Sequence, residues 1–96
     1  MDERNQQLKN LLSKGNSAAW DKNWNDAAGY YQQALEIDPG NFKALTNLGL
    51  ANYEMREYRE ALDAYGKAVE INPDDPAPYE KMFLIYNEVS QPAEAV

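Results

Sequence analysis

The 96-residue chain contains no cysteine and no histidine. It therefore has no disulfide bond, no thiolate nucleophile and none of the side chains that most often act as general acid or base near neutral pH. It also lacks an H-E-x-x-H zinc motif, an EF-hand loop and a glycine-rich phosphate loop. We therefore expect a protein that is not an enzyme and that binds no metal and no cofactor.

Basic residues are few as well. The chain has 9 Lys and Arg against 16 Asp and Glu, which gives a net charge of −7. Nucleic acids and anionic membrane surfaces bind clustered Lys and Arg, so we expect neither of them as a partner. The first residues lack the apolar stretch that is expected of a secretory leader, and no apolar run reaches the length that spans a membrane. These absences predict a cytoplasmic protein without membrane insertion.

The sequence does contain an internal repeat. The stretch ALEIDPGN begins at Ala34, and AVEINPDD begins at Ala68, which is 34 positions later. With the same offset Tyr31 aligns with Tyr65, proline aligns with proline, and apolar positions meet apolar positions throughout. Chance would not keep both size and polarity in register, so the period is real.

Each period has the apolar spacing of amphipathic helices. Apolar residues follow the pattern i, i+4, i+7 and i+8 from Ala27 and again from Ala61. A proline shortly after each of these helices ends it, and Asn41 and Asp75 can cap the helices that follow. Short connections make successive helices antiparallel. The pattern predicts five helices, at about 3–21, 24–37, 42–55, 58–71 and 76–89.

These signature residues resemble the tetratricopeptide repeat, a 34-residue helix–turn–helix. The matching positions of the second period are Leu45, Leu48, Gly49, Ala61, Tyr65, Ala68 and Pro73. Those of the first period are Gly15, Ala27, Tyr31, Ala34 and Pro39. The resemblance implies an all-α fold, a right-handed superhelix of antiparallel helix pairs with two full repeats plus a C-terminal helix. It makes residues 1–96 one domain, with repeat 1 at about 8–41, repeat 2 at about 42–75 and partial repeat 3 at about 76–96.

The resemblance also implies a function. In such domains the first helix of each repeat, the A helix, lines a concave groove that binds a peptide or a helix of another protein. We therefore expect a non-catalytic adaptor whose partner is a protein. By similarity to the family, the residues expected to bind the partner are Leu12, Asn16, Trp20, Lys43, Asn47, Leu50, Tyr53, Lys81 and Leu84.

A first alternative is a co-chaperone module. The stretch LLSKGNSAAW resembles the start of co-chaperone domains that hold the C-terminal carboxylate of a heat-shock protein with Lys, Asn, Asn, Lys and Arg. Carried over by position, these five residues fall on Leu12, Asn16, Asn47, Ala77 and Lys81. Both asparagines are kept and two cations are lost, which weakens carboxylate binding because carboxylates need charge-assisted donors.

A second alternative is a scaffold that assembles with itself. The stretch MFLIY, residues 82–86, makes the last predicted helix apolar on nearly every side, and no following helix covers it. We expect Phe83, Ile85 and Tyr86 to be exposed there and to support a homodimer. The opposing expectation is that this helix rotates and leaves only Tyr86 partly exposed.

Overall fold

In the computed structural model, residues 2–90 are described, and they form five α-helices. The helices are α1 (Asp2–Trp20), α2 (Trp24–Ile37), α3 (Phe42–Glu54), α4 (Tyr58–Ile71) and α5 (Pro76–Val89). Every end lies within one residue of the predicted one, and the all-α prediction is confirmed. Residues 91–96, the end of the predicted partial repeat, lie outside the described residues.

The two predicted helix caps are present. The side chain of Asn41 accepts a hydrogen bond from the backbone N–H of Ala44 at 2.9 Å. The side chain of Asp75 accepts one from the backbone N–H of Ala77, also at 2.9 Å. Pro76 takes the first position of α5, where its missing N–H removes no helical hydrogen bond. Each cap satisfies a donor that the first turn of a helix leaves unpaired.

The turn inside each complete repeat uses a left-handed residue at the same period position. Lys22 has a φ of 61° and Arg56 a φ of 63°. In the first turn, the N–H groups of residues 22 and 23 donate to the carbonyls of Ala19 and Ala18 at 2.9 and 2.8 Å. The corresponding distances in the second turn are 3.0 and 2.8 Å. This Schellman arrangement ends the A helix and directs the chain into the second helix of the repeat.

A tyrosine packed on a glycine joins the two helices of each complete repeat. Tyr31 and Tyr65 are only 1% and 2% exposed. A Cβ atom added to Gly15 would lie 2.6 Å from the ring of Tyr31, and one added to Gly49 would lie 2.8 Å from the ring of Tyr65. Both distances are far below van der Waals contact, so this close approach requires glycine at both positions.

The C-terminal helix packs on α4 through Ile85, which is fully buried against Ala61 and Tyr65. The expectation that Ile85 is exposed is therefore wrong, because the packing of α5 on α4 turns this side chain into the core. The opposing expectation is wrong as well. Phe83 is 68% exposed and Tyr86 is 54% exposed, so burying Ile85 leaves both aromatic side chains on the outside.

Candidate functional site

Several of the residues expected to bind a partner converge between α3 and α5. An open groove of about 160 Å³ lies there. It is lined by Thr46, Asn47, Leu50, Tyr65, Ala77, Pro78, Glu80 and Lys81. Three of these, Asn47, Leu50 and Lys81, are predicted binding residues. They bring together an amide, an apolar surface and an ammonium group, which can interact respectively with the main chain, an apolar side chain and a negative group of a peptide.

Tyr53 and Leu84 extend this surface toward the C-terminal end of α5. The ammonium nitrogen of Lys81 lies 5.4 Å from the centre of the Tyr53 ring, within the range of a cation–π interaction. The hydroxyl of Tyr58 donates to the Glu88 carboxylate at 3.0 Å, and the hydroxyl of Tyr53 donates to it at 3.5 Å. The hydrogen bond to Glu88 is the main reason why the pKa of Tyr58 is raised. These contacts tie α5 to both α3 and α4.

The other predicted residues lie outside the groove lining. The side-chain oxygen of Asn16 accepts a hydrogen bond from the hydroxyl of Tyr31 at 2.6 Å, so this oxygen is already used within the first repeat. Leu12 packs against the core around Tyr31. Trp20 is 87% exposed at the end of α1, and Lys43 is exposed at the start of α3. Their role in binding stays a prediction.

Comparison with known proteins identifies the repeat. A sequence model described as "Tetratricopeptide repeat" matches residues 42–75, which contain α3 and α4. Tetratricopeptide repeat protein 37 of Xenopus laevis is 29% identical over 87 residues, which are 91% of this chain and 6% of that protein. The solved C-terminal TPR-containing domain of a putative FK506-binding protein of Plasmodium falciparum is 27% identical with a TM-score of 0.82, over 90% of this chain and 57% of that one. This chain is a tetratricopeptide repeat protein.

Another relative of this tetratricopeptide repeat protein is Hsp70-Hsp90 organizing protein 2 of Arabidopsis thaliana. It is 32% identical over 62 residues, which are 65% of this chain and 11% of that protein. The chain thus spans only a small part of the curated relatives that it matches. The superhelical fold of paired helices is confirmed, and tetratricopeptide repeats are modules of protein–protein interaction. The predicted repeat boundaries stay a prediction.

The described part of this tetratricopeptide repeat protein contains neither a metal-site cluster nor a membrane-spanning helix. No three potential metal-ligating side chains come together among residues 2–90. Within the same residues, every helix is too short or too polar to cross a lipid bilayer.

Sequence analysis missed one polar group of this groove, the hydroxyl of Tyr65. The ring of Tyr65 belongs to the core cluster with Ala61 and Ile85. The signal that could have revealed it is a difference between the two sequence periods. Leu50 stands 34 positions after Asn16, so the second repeat lacks the amide that bonds Tyr31 in the first. The hydroxyl of Tyr65 therefore lacks an equivalent of the amide oxygen that accepts the hydrogen bond of Tyr31.

Proposed function

We propose that this tetratricopeptide repeat protein is a non-catalytic adaptor that binds an extended peptide segment of a partner protein in the groove between α3 and α5. The observation that carries the proposal is the convergence of Asn47, Leu50 and Lys81 on one open groove. The predicted cytoplasmic location stays a prediction.

The proposal is supported by the availability of these side chains. Asn47 and Lys81 are partly exposed, and neither makes a side-chain hydrogen bond or an ion pair with another residue of the described part. A peptide can therefore reach their donors without breaking an internal hydrogen bond or ion pair. Both side chains stand on helices, so little backbone ordering is needed on binding, and preorganisation of this kind favours affinity.

Peptide selection followed by mutation tests the adaptor proposal. A random dodecamer library displayed on phage is selected against the immobilised full chain, and the affinities of the selected peptides are measured by calorimetry. Replacing two polar groove contacts, Asn47→Ala with Lys81→Ala, should weaken binding by about ten-fold or more. The helical content and the melting temperature should hardly change, because surface substitutions have small effects on stability.

The matched control is Asn25→Ala with Lys67→Ala, which removes the same two residue types from exposed positions away from the groove. This control should leave the affinity unchanged. Equal affinity of the selected peptides for the groove variant and the wild-type chain would contradict the proposal. So would chemical-shift changes that map to the outer side of α4, around Asp63 and Lys67.

The co-chaperone alternative is supported by the relative named Hsp70-Hsp90 organizing protein 2. It remains the second choice, because only Asn47 and Lys81 of the five clamp positions lie in the groove with a polar side chain. Asn16 is bonded to Tyr31, and Ala77 carries no charge. C-terminal decapeptides of cytosolic Hsp70 and Hsp90, each with a free and with an amidated end, test this alternative. Tighter binding of the free acids by about ten-fold would favour it, and equal binding would exclude it.

The scaffold alternative is supported by the exposed aromatic side of α5. Tyr79, Phe83 and Tyr86 are all exposed, and apolar surface of this kind is typical of interfaces. Under this alternative, sedimentation velocity at increasing concentration should reveal a dimer that Phe83→Glu weakens. The control is Trp20→Glu, which places the same charge at an exposed aromatic position of α1. A monomer up to high micromolar concentration would exclude the alternative.

A further inference from the structure

The two buried tyrosines differ in what surrounds their hydroxyl groups. Tyr31 donates a hydrogen bond to Asn16 at 2.6 Å. The residue equivalent to Asn16 in the second repeat is Leu50, whose side chain has no polar atom. Within residues 2–90, the hydroxyl of Tyr65 has no hydrogen-bond partner in the protein. The second repeat therefore holds a polar group that the first repeat satisfies internally.

The hydroxyl of Tyr65 is nearly enclosed, but it can still be reached through the groove. Its side chain is 98% removed from solvent and lines the groove together with Leu50. The oxygen is not among the fully buried polar atoms that lack a partner, so it keeps some accessible surface, and Tyr65 lines the groove. A hydroxyl that has lost most of its water without gaining a hydrogen bond is unfavourable. An acceptor that enters the groove would restore the missing bond.

The charges nearby select the kind of acceptor. Burial raises the pKa of Tyr65 well above its usual range, and the acidic groups of Tyr53 and Glu54 raise it further. The hydroxyl thus stays protonated and can donate, and Glu54 is the charged group that raises its pKa. The ammonium group of the neighbouring Lys81 lies over the ring of Tyr53. Glu54 would repel a carboxylate bound at this hydroxyl, whereas an uncharged carbonyl meets no such repulsion.

We propose that the hydroxyl of Tyr65 is the hydrogen-bond donor of a peptide subsite that accepts an uncharged amide carbonyl. The carbonyl belongs to the partner's main chain or to an Asn or Gln side chain, and Leu50 contacts the apolar group next to it. The inference rests on the adaptor proposal and gives it a specific ligand chemistry. It differs from carboxylate binding in the charge of the group that is bound.

An NMR titration of the full ¹⁵N-labelled chain with three small probes tests the ligand chemistry. N-methylacetamide represents a main-chain amide, acetamide represents the Asn or Gln side chain, and sodium acetate represents a carboxylate. We expect saturable shifts at Asn47 and Leu50 with at least one amide and none at these two residues with acetate, whereas acetate can still shift Lys81 through its ammonium group. The amide that saturates at the lower concentration identifies the source of the carbonyl. Saturable acetate shifts at Asn47 and Leu50, or saturation by neither amide, would overturn the proposal.

Two variants test the assignment to Tyr65. Tyr65→Phe keeps the ring that packs on Gly49 and removes only the hydroxyl, so amide binding should weaken about five-fold, the effect of losing one neutral hydrogen bond. Leu50→Asn supplies an internal partner like that of the first repeat, and it should weaken amide binding to a similar extent. The control Tyr31→Phe should leave it unchanged. Amide binding by Tyr65→Phe as tight as that of the wild type would overturn the assignment.

The outcomes separate this inference from the adaptor proposal. If the selected dodecamers depend on Asn47 and Lys81 while amide binding does not depend on Tyr65, the subsite is wrong and the adaptor proposal stands. If the dodecamers do not depend on Asn47 and Lys81, the adaptor proposal fails, whatever the amide titration yields.

Discussion

The two complete repeats and the C-terminal helix differ at one period position. In the complete repeats Gly15 and Gly49 occupy it, and a buried tyrosine ring from the following helix rests on each. In α5 the same position holds Phe83, which is 68% exposed and has no covering helix within residues 2–90. Glycine is thus required where a tyrosine-bearing helix packs. A helix like α2 or α4, which carries a tyrosine, could not cover Phe83 in the same way. Even a single Cβ atom added to Gly15 or Gly49 would clash with the tyrosine ring, and the side chain of phenylalanine is larger.

The largest effect is expected from removing the covering ring. Tyr65→Ala should lower the free energy of unfolding by about 3–5 kcal/mol, because it leaves a cavity between α3, α4 and α5. Chemical denaturation followed by circular dichroism measures this loss. Since neighbouring repeats stabilise each other, we expect a single transition. The control is the exposed Glu60→Ala, and a decrease no larger than that of the control would contradict the central role of the ring.

The next largest effect is expected from filling the glycine position. Gly49→Ala places a Cβ atom 2.8 Å from the ring of Tyr65, so it should destabilise the chain by about 1–3 kcal/mol even though alanine favours helix. The control is Gly66→Ala in α4, where an added Cβ atom meets nothing within 4 Å. There the substitution should stabilise by up to about 1 kcal/mol. Equal effects of both substitutions in thermal melts would show that helix propensity, and not the close approach, determines the outcome.

A smaller effect should separate the two tyrosine hydroxyls. Tyr31→Phe removes the hydrogen bond to Asn16 and should lower the free energy of unfolding by about 1 kcal/mol. Tyr65→Phe removes an enclosed hydroxyl without an internal partner, so it should not destabilise the chain and should stabilise it by up to about 1 kcal/mol. Denaturant titrations of both variants measure the difference. A larger loss in Tyr65→Phe than in Tyr31→Phe would mean that the hydroxyl of Tyr65 is bonded within the chain.

The smallest effect is expected from alkaline pH. The folded chain raises the pKa of Tyr65 above the value of about 10 in the unfolded chain, so the folded state keeps a proton that the unfolded state loses. The resulting stability is complete below pH 10 and is lost as the pH rises above it. At pH 10.5 the wild type should lose about 0.8 kcal/mol relative to Tyr65→Phe. Urea titrations at pH 8 and pH 10.5 measure this change, and a constant difference between the two proteins would contradict it.

Much of the fold could be predicted because its signals are local. Apolar spacing, proline and the capping residues Asn41 and Asp75 gave all helix ends to within one residue. The candidate site was only partly predictable. Asn47, Leu50 and Lys81 do meet in one groove, whereas the oxygen of Asn16 is bonded inside its own repeat. Similarity by position selects the face of a helix, but it does not reveal which side chains have internal partners.

The 34-residue period, the five helices and the glycines at the repeat's signature positions could all be predicted from the sequence alone. Each of these follows from steric and apolar patterns within one or two neighbouring helices. The three-dimensional structure was needed to show that Ile85 is buried while Phe83 is exposed, and that Tyr65 reaches a groove between α3 and α5. Both outcomes depend on how α5 is rotated against α4, and this rotation is set by the simultaneous packing of three helices. A helix that is apolar on nearly every side does not specify that rotation in its own sequence.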